Sequence, residues 1–442
     1  MEITALAQQS WNPVQKIIFR FFCCLFIIYL FPFPIDSLPF VNELLSIHPK
    51  LSEWFGAPFE KYTDFWHAVI PWIGKNIIRL NTLITIFTNG SGDTTYDYVL
   101  LLTYFILSLL ACIIWTVIDR RRQSYTHAYY WLRVLVRYYL GAVMFGYGFA
   151  KVFHLQMPFP YLSQLVQPFG DKSPMGLAWS FIGYSKVYSA YTGWAEVLGG
   201  LLLLFRRTVL LGALVVFIVT VNIAMINYCY DIPVKLYSSM LLIMAIFLMI
   251  PDFNRLVNVL WWNSAVQIAS FLSMLHSRKK KMARVVLKWL FIASLFYSNI
   301  SGGLSSRKQY GDLRPLPPLY GIYNTETVVR NHDTIPPLTT DSTRWKQLII
   351  QFKENAQVKL MNDSIKYFKF IVNDSAKSIL VYTAADTLNK SELLYRADSI
   401  GLVLTGKIKE DSIYIRLRKY DINKFRLVNR GYHWINEFPY NR

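Results

Sequence analysis

Between Arg137 and Ile250 the chain reads RYYLGAVMFGYGFAKVF (137–153), SAYTGWAEVLGGLLLLF (189–205), RRTVLLGALVVFIVTVNIAMINY (206–228) and PVKLYSSMLLIMAIFLMI (233–250). These are four apolar segments. Each is long enough, or nearly so, to cross a hydrocarbon core that needs about 20 helical residues. Inside them sit a few polar and ionisable residues: Lys151, Glu196, Asn222 and Asn227. The stretch therefore predicts a transmembrane bundle with a small polar cluster among its helices.

Composition agrees. Only 17% of the 442 residues are charged, against about 25% in soluble domains. The formal net charge of +19 is concentrated in RRR (120–122), RR (206–207) and RKKK (278–281), each beside an apolar segment. Such clusters anchor spans at the inner face next to anionic lipid. They lack the aromatic interleaving of a nucleic-acid surface, so nucleic acid is not an expected partner. The four cysteines form no C-x-x-C and no metal spacing with histidine, and are read as small buried hydrophobes.

Further apolar segments flank the core. Residues 14–31 read as an uncleaved first span, with Lys16 and Arg20 marking its inner end and no small-x-small site after it. Residues 98–118 form a second span, followed at once by DRRR, and 285–300 a last one with Lys288 in its first turn, placed to snorkel inward. Alternation of spans beginning near 14, 98, 137, 190, 208, 234 and 284 puts every basic cluster inside. It puts the polar loops 32–97 and 154–188 outside. In loop 32–97, helical patterns near 50–57 and 64–88 suggest interfacial amphipathic helices, the second with Phe65, Val69, Trp72, Ile73, Ile77 and Leu80 on one face. Beyond Ser305 the pattern changes to period two. KYFKFIV, SILVYT, LVLTGKI and DSIYIRLRKY are separated by turn residues, with Leu402, Leu404 and Gly406 on one face and Ile413, Ile415 and Leu417 on another.

The expected architecture is an all-α transmembrane bundle of about seven spans with a C-terminal antiparallel β domain, in a bacterial cytoplasmic membrane. Four parts follow: 1–136 with the first spans and aromatic loop, 137–250 as four-helix core, 251–304 with the basic loop and last span, and 305–442 as an extracytoplasmic β domain. At 1.5 Å per residue, Lys151 falls near the outer end of its span, Glu196 roughly 12 Å deep and Asn222 roughly 9 Å deep. Tyr147 and Tyr191 lie about a turn from the pair. A lone charge at such depth costs at least about 2.5 kcal/mol, so lysine and glutamate are expected to pair. Either the pair clamps two helices, or with Asn222, Tyr147 and Tyr191 it lines a pocket for a lipid, quinone or other amphiphile. Gly141, Gly146, Gly148, Gly199 and Gly200 would allow close helix packing. No catalytic constellation and no metal set is visible.

At these residues a resemblance enters. The pattern R-x3-G-x4-G-x4-K at Arg137, Gly141, Gly146 and Lys151, followed by E-x2-G-G at Glu196, Gly199 and Gly200 and a basic turn, resembles the DoxX-like membrane proteins. The resemblance covers about residues 137–250. It implies a four-helix transmembrane bundle with Arg137, Lys151 and Glu196 as its polar positions. Some members of that family are subunits of membrane oxidoreductases acting on sulfur compounds and quinones. The expected function is accordingly a membrane subunit that binds a quinone or lipid-like molecule, within a redox complex. The alternative is a non-enzymatic envelope assembly protein whose partner binds residues 305–442. Transport is a weaker reading, since no inverted repeat is evident.

Overall fold

The computed structural model describes residues 10–87, 89–266 and 277–441. Its chain divides into two units. One comprises residues 1–156 and 186–306, the other 157–185 and 307–442. The four-part division expected from the sequence is thus replaced by two. The first three parts share one helical unit, while residues 157–185, assigned to the core by sequence, join the β domain. The reason is packing: Leu162 is buried with Ile322 and Ile349, and the Ser163 amide donates to Gln351 Oε1 at 3.0 Å.

The principal helices of the first unit are α1 Pro13–Leu30, α2 Pro49–Asn76, α3 Thr95–Ile118, α4 Thr126–Val152, α5 Lys186–Leu204, α6 Val209–Cys229, α7 Lys235–Met249 and, but for its last three residues, α8 Arg278–Gln309. Helix starts follow local chemistry. Asn12 and Gln15 form a capping box before Pro13, and Thr94 and Asp97 form another at α3. Among the described residues, five helical stretches are long and apolar enough to cross a membrane: Pro13–Leu30, Thr95–Ile118, Arg206–Cys229, Lys235–Leu260 and Arg278–Gln309. These helices are compatible with a multi-pass membrane protein. Helices α4 and α5 carry more polar residues and pack most closely with one another.

Two details depart from the sequence reading. In loop 32–97 one continuous α2 replaces the two helical patterns and stops at Asn76. Its packed face is Trp66, Ile70 and Ile73 against Tyr96 and Val99, whereas Phe65, Trp72 and Ile77 are exposed. The face is rotated because α3 supplies the neighbour on that side. The last helix begins at Arg278, not near 285, since Arg, Lys, Met and Ala all favour helix. Lys288 is therefore in its third turn, with Nζ 4.4 Å from the Phe205 ring centre.

Arg20, expected only as a marker of the inner end, is 3% exposed. It donates to the Tyr125 hydroxyl (Nη2, 2.8 Å), Thr116 Oγ1 (2.9 Å) and the Asp119 carbonyl (3.0 Å). The guanidinium thereby ties α1 to the end of α3.

The second unit holds the β domain. Strands β1 Gly321–Arg330, β2 Asp333–Thr334, β3 Trp345–Phe352, β4 Asn355–Leu360, β5 Ile365–Asn373, β6 Ser378–Thr383, β7 Asp386–Ala397, β8 Gly401–Ile408 and β9 Asp411–Lys419 pair antiparallel in the order β2-β1-β3-β4-β5-β6-β7-β8-β9. Pairing of β1 with β9 closes the sheet into a barrel, and β2 is a short extension of β1. Closure removes the exposed sheet edges. A barrel of about eight strands is just wide enough to be filled by side chains. Leu402 faces Leu417 and Leu404 faces Ile415 across the ladder, all at most 2% exposed, as the period-two pattern implied. Leu404→Ala is expected to destabilise the barrel by about 2–5 kcal/mol through the cavity it leaves. Limited proteolysis of the full chain over a temperature ramp reads this, and an unchanged barrel midpoint would count against the packing described.

Candidate functional site

Helices α4 and α5 approach closely enough for their backbones to touch, because glycines face each other at two levels. A Cβ on Gly148 would lie 2.7 Å from the Gly193 carbonyl, and one on Gly200 would lie 2.9 Å from the Gly141 carbonyl. Gly199 serves a different contact, toward Val215 and Val216 of α6, and Gly146 faces open space.

The close approach sets Lys151 against Glu196. Their ammonium and carboxylate form a salt bridge through Glu196 Oε1, with Lys151 6% and Glu196 1% exposed. Ser189 Oγ donates to the Lys151 carbonyl at 3.0 Å and fixes the end of α4. Glu196 Oε2 is buried with no hydrogen-bond partner among the described residues. The pairing expected from the sequence is present.

The rest of the expected cluster is dispersed. Tyr147 stays near, its ring centre 6.0 Å from Lys151 Nζ. Tyr191 is 70% exposed. Asn222 is exposed too, whereas Asn227, nearer the end of α6, is buried and donates to the Val234 carbonyl at 3.4 Å. Asn222 and Tyr191 are thus exposed where Lys151 and Glu196 are buried.

A separate feature lies elsewhere in the same unit. A cavity of about 1240 Å³ is bounded by α1, residues 33–39, the first half of α4, residues 204–208 and the first half of α8. Its wall is mostly apolar, with Cys23, Ile27, Leu132, Leu135, Leu204 and Phe291 among the lining side chains. Six cations also line it: Arg137, Arg206, Arg207, Lys280, Arg284 and Lys288. None of the described residues lining it is acidic. Arg137 is separated from Lys151 by roughly 21 Å of helix, so neither member of the buried pair lines this cavity. Sequence reasoning had treated RR and RKKK only as anchors. The i, i+4, i+8 spacing of Lys280, Arg284 and Lys288 on one helix face was the available signal.

Among the described residues no group of three or more His, Cys, Asp or Glu is placed to hold a metal ion. The four cysteines are free, with Cys23 and Cys112 buried, Cys24 partly so and Cys229 exposed.

The molecule thus combines several long apolar helices, compatible with a multi-pass membrane protein, with a closed antiparallel β-barrel domain. It is similar to the uncharacterized protein YwoB of Bacillus subtilis (strain 168), 37% identical over 132 residues, which is 28% of this chain and 78% of that protein. The chain belongs to the same family as YwoB. No family model and no solved structure matches the chain.

Proposed function

We propose that this protein is a DoxX-like membrane subunit, with seven spans around a four-helix core, that binds a lipid-like or quinone-like small molecule among its helices. In this reading the N-terminus lies inside a bacterial cytoplasmic membrane and the barrel outside. The single observation that carries the ligand reading is the 1240 Å³ apolar cavity, above the 300–1,000 Å³ typical of small-molecule sites. The four helices α4 to α7, with Arg137, Lys151 and Glu196 in the positions the DoxX-like pattern names, support the family reading. Membership of a redox complex follows from that resemblance alone.

In this reading the ligand lies away from Lys151 and Glu196. Those side chains are almost completely enclosed and satisfy one another's charge, so they act as an interhelical clamp. Native mass spectrometry of the detergent-extracted full chain tests both halves. Wild type is expected to retain a small amphiphile that Leu135→Trp, which projects a larger ring from the cavity wall, retains less well, and that Glu196→Gln keeps. Loss on Glu196→Gln with retention by Leu135→Trp would return the site to the pair.

A second reading, interaction through the outer domain, is favoured by the segment after the barrel. There Tyr432, Trp434, Ile435 and Phe438 are all at least 75% exposed, and Trp and Tyr are the residue types that anchor protein interfaces. A photocrosslinker at position 434 that labels one envelope protein in cells supports this reading. Labelling of lipid alone counts against it.

A further inference from the structure

The connections of the barrel share a tripeptide that their geometry does not require. Every aspartate between Gly321 and Lys419 is followed by Ser or Thr, and then by Ile, Leu, Ala or Thr: DTI (333–335), DST (341–343), DSI (363–365), DSA (374–376), DTL (386–388), DSI (398–400) and DSI (411–413). Each lies in or beside a link between two strands. Turn chemistry accounts for the aspartates. Asp398 Oδ1 accepts from the Ile400 and Gly401 amides at 2.8 Å, Asp341 Oδ1 from those of Thr343 and Arg344, and Asp386 Oδ1 from that of Asn389. It does not account for the second residue. Ser364 donates to Asn362 Oδ1 at 2.6 Å. The hydroxyls of Thr334, Ser342, Ser375, Thr387, Ser399 and Ser412 have no hydrogen-bond partner among the described residues, and all of these residues are exposed. Nor does packing choose the third residue throughout: Ile365, Leu388 and Ile400 are 49%, 93% and 67% exposed. Two more such tripeptides, DSL (36–38) and DTT (93–95), stand in loop 32–97. There the hydroxyls are engaged, Ser37 donating to Asp36 and Thr94 to Asp97. Asp119 and Asp252, near the basic clusters, are followed by Arg and Phe.

We propose that the serines and threonines of the barrel tripeptides are acceptors for O-linked sugar, read by a transferase through the aspartate before each hydroxyl and the small or aliphatic residue after it. This inference rests on the reading that the barrel lies outside the cytoplasmic membrane, where the donor class is a sugar carried on a polyprenyl diphosphate. In the transfer the serine or threonine oxygen bonds to the anomeric carbon. The bond from that carbon to the diphosphate breaks, the diphosphate leaves with the electron pair, and the hydroxyl proton passes to a base of the transferase. No oxidant or reductant is consumed. Asparagine-linked transfer needs Asn-x-Ser/Thr. Asn362 and Asn373 supply it for the tripeptides at 363 and 374, and the others have no asparagine two residues before the hydroxyl. Sugar at these positions is bulky and solubilising, and it covers loop tips of the kind that proteases nick.

The test is peptide mapping by mass spectrometry of the full chain purified from the membranes of the cell that makes it, before and after alkaline β-elimination. Sugar is expected on the peptides carrying Ser375, Thr387 and Ser399 and is expected to be released by alkali, with the peptides of Ser37 and Thr94 bare. Asp398→Asn keeps an oxygen to accept the turn amides and removes the charge. It should lower occupancy at Ser399 about tenfold, as for a lost hydrogen bond to a charged group, and leave Thr387 as in wild type. Unchanged occupancy at Ser399 would overturn the tripeptide as the recognised unit. Sugar on Asn362 and Asn373 that survives alkali, or phosphate in place of sugar, would overturn the O-linked assignment. Lys353→Cys, in the link between β3 and β4 that carries no such tripeptide, locates the barrel independently when spheroplasts are treated with a membrane-impermeant thiol reagent. Labelling at 353 with every hydroxyl bare would overturn the acceptors while the outer location stands. No labelling, with every hydroxyl bare, would overturn both.

Discussion

Lys151→Met is expected to destabilise the helical unit by about 3–5 kcal/mol, because it strands the Glu196 carboxylate as an unpaired buried charge. Glu196 is 1% exposed and its Oε2 lacks a hydrogen-bond partner among the described residues, so none of them is in place to take over from the ammonium. Glu196→Gln leaves the lysine unpaired instead, but Lys151 stands in the last turn of α4, where the helix dipole favours a cation. The glutamine variant should therefore be the milder of the two. The double variant Lys151→Met/Glu196→Gln should recover much of the loss, since removing both charges of a buried pair is often nearly neutral. Thermal unfolding in a fixed detergent gives the three values and their coupling. A Lys151→Met protein that unfolds with wild type would show that the pair is no clamp.

The second large effect is expected at the glycine contact that creates the pair. In Gly193→Val the new Cβ meets the Val152 amide nitrogen at 2.9 Å and Lys151 Cβ at 3.0 Å, and it crowds the Gly148 carbonyl. Two of those neighbours are backbone, which cannot swing aside as a side-chain end can. Overpacking alone costs about 1–3 kcal/mol, and separating the helices also pulls Lys151 from Glu196. The damage should thus overlap with that of Lys151→Met, and the two changes together should cost less than their sum. Gly146→Ala is the control: its Cβ meets nothing within 4 Å, and replacing glycine by alanine in a helix favours it by about 0.8–1.0 kcal/mol. Equal unfolding temperatures for Gly193→Val and Gly146→Ala would remove the glycine contact from the account.

If measured as expected, these effects would mark Lys151 and Glu196 as structural. The proposed binding chemistry sits roughly 21 Å along α4, at Arg137, the third polar position of the DoxX-like pattern.

The linear chain determined which segments are helical and apolar, where the β domain begins, and that a buried lysine would seek a buried glutamate. Those readings depend on local periodicity and on the cost of a lone charge, and both act over one or two turns or strands. The inward faces of β8 and β9 were legible for the same reason, since alternate residues of a strand must face opposite ways.

Tertiary structure alone decided which side of each helix faces a neighbour. Helix α6 is apolar nearly all round, so its sequence does not choose between Asn222 and Asn227, which are about 140° apart on the helix. Packing against α5 and α7 buries Asn227 and leaves Asn222 exposed. The same holds for α2, whose buried face was set by Tyr96 and Val99 of α3, and for residues 157–185, which follow the barrel because Ile322 and Ile349 cover Leu162. The cavity is the extreme case. Arg137 and Lys280 are over a hundred residues apart in the chain, and only the docking of α8 beside α4 turns separate basic clusters into one lined space.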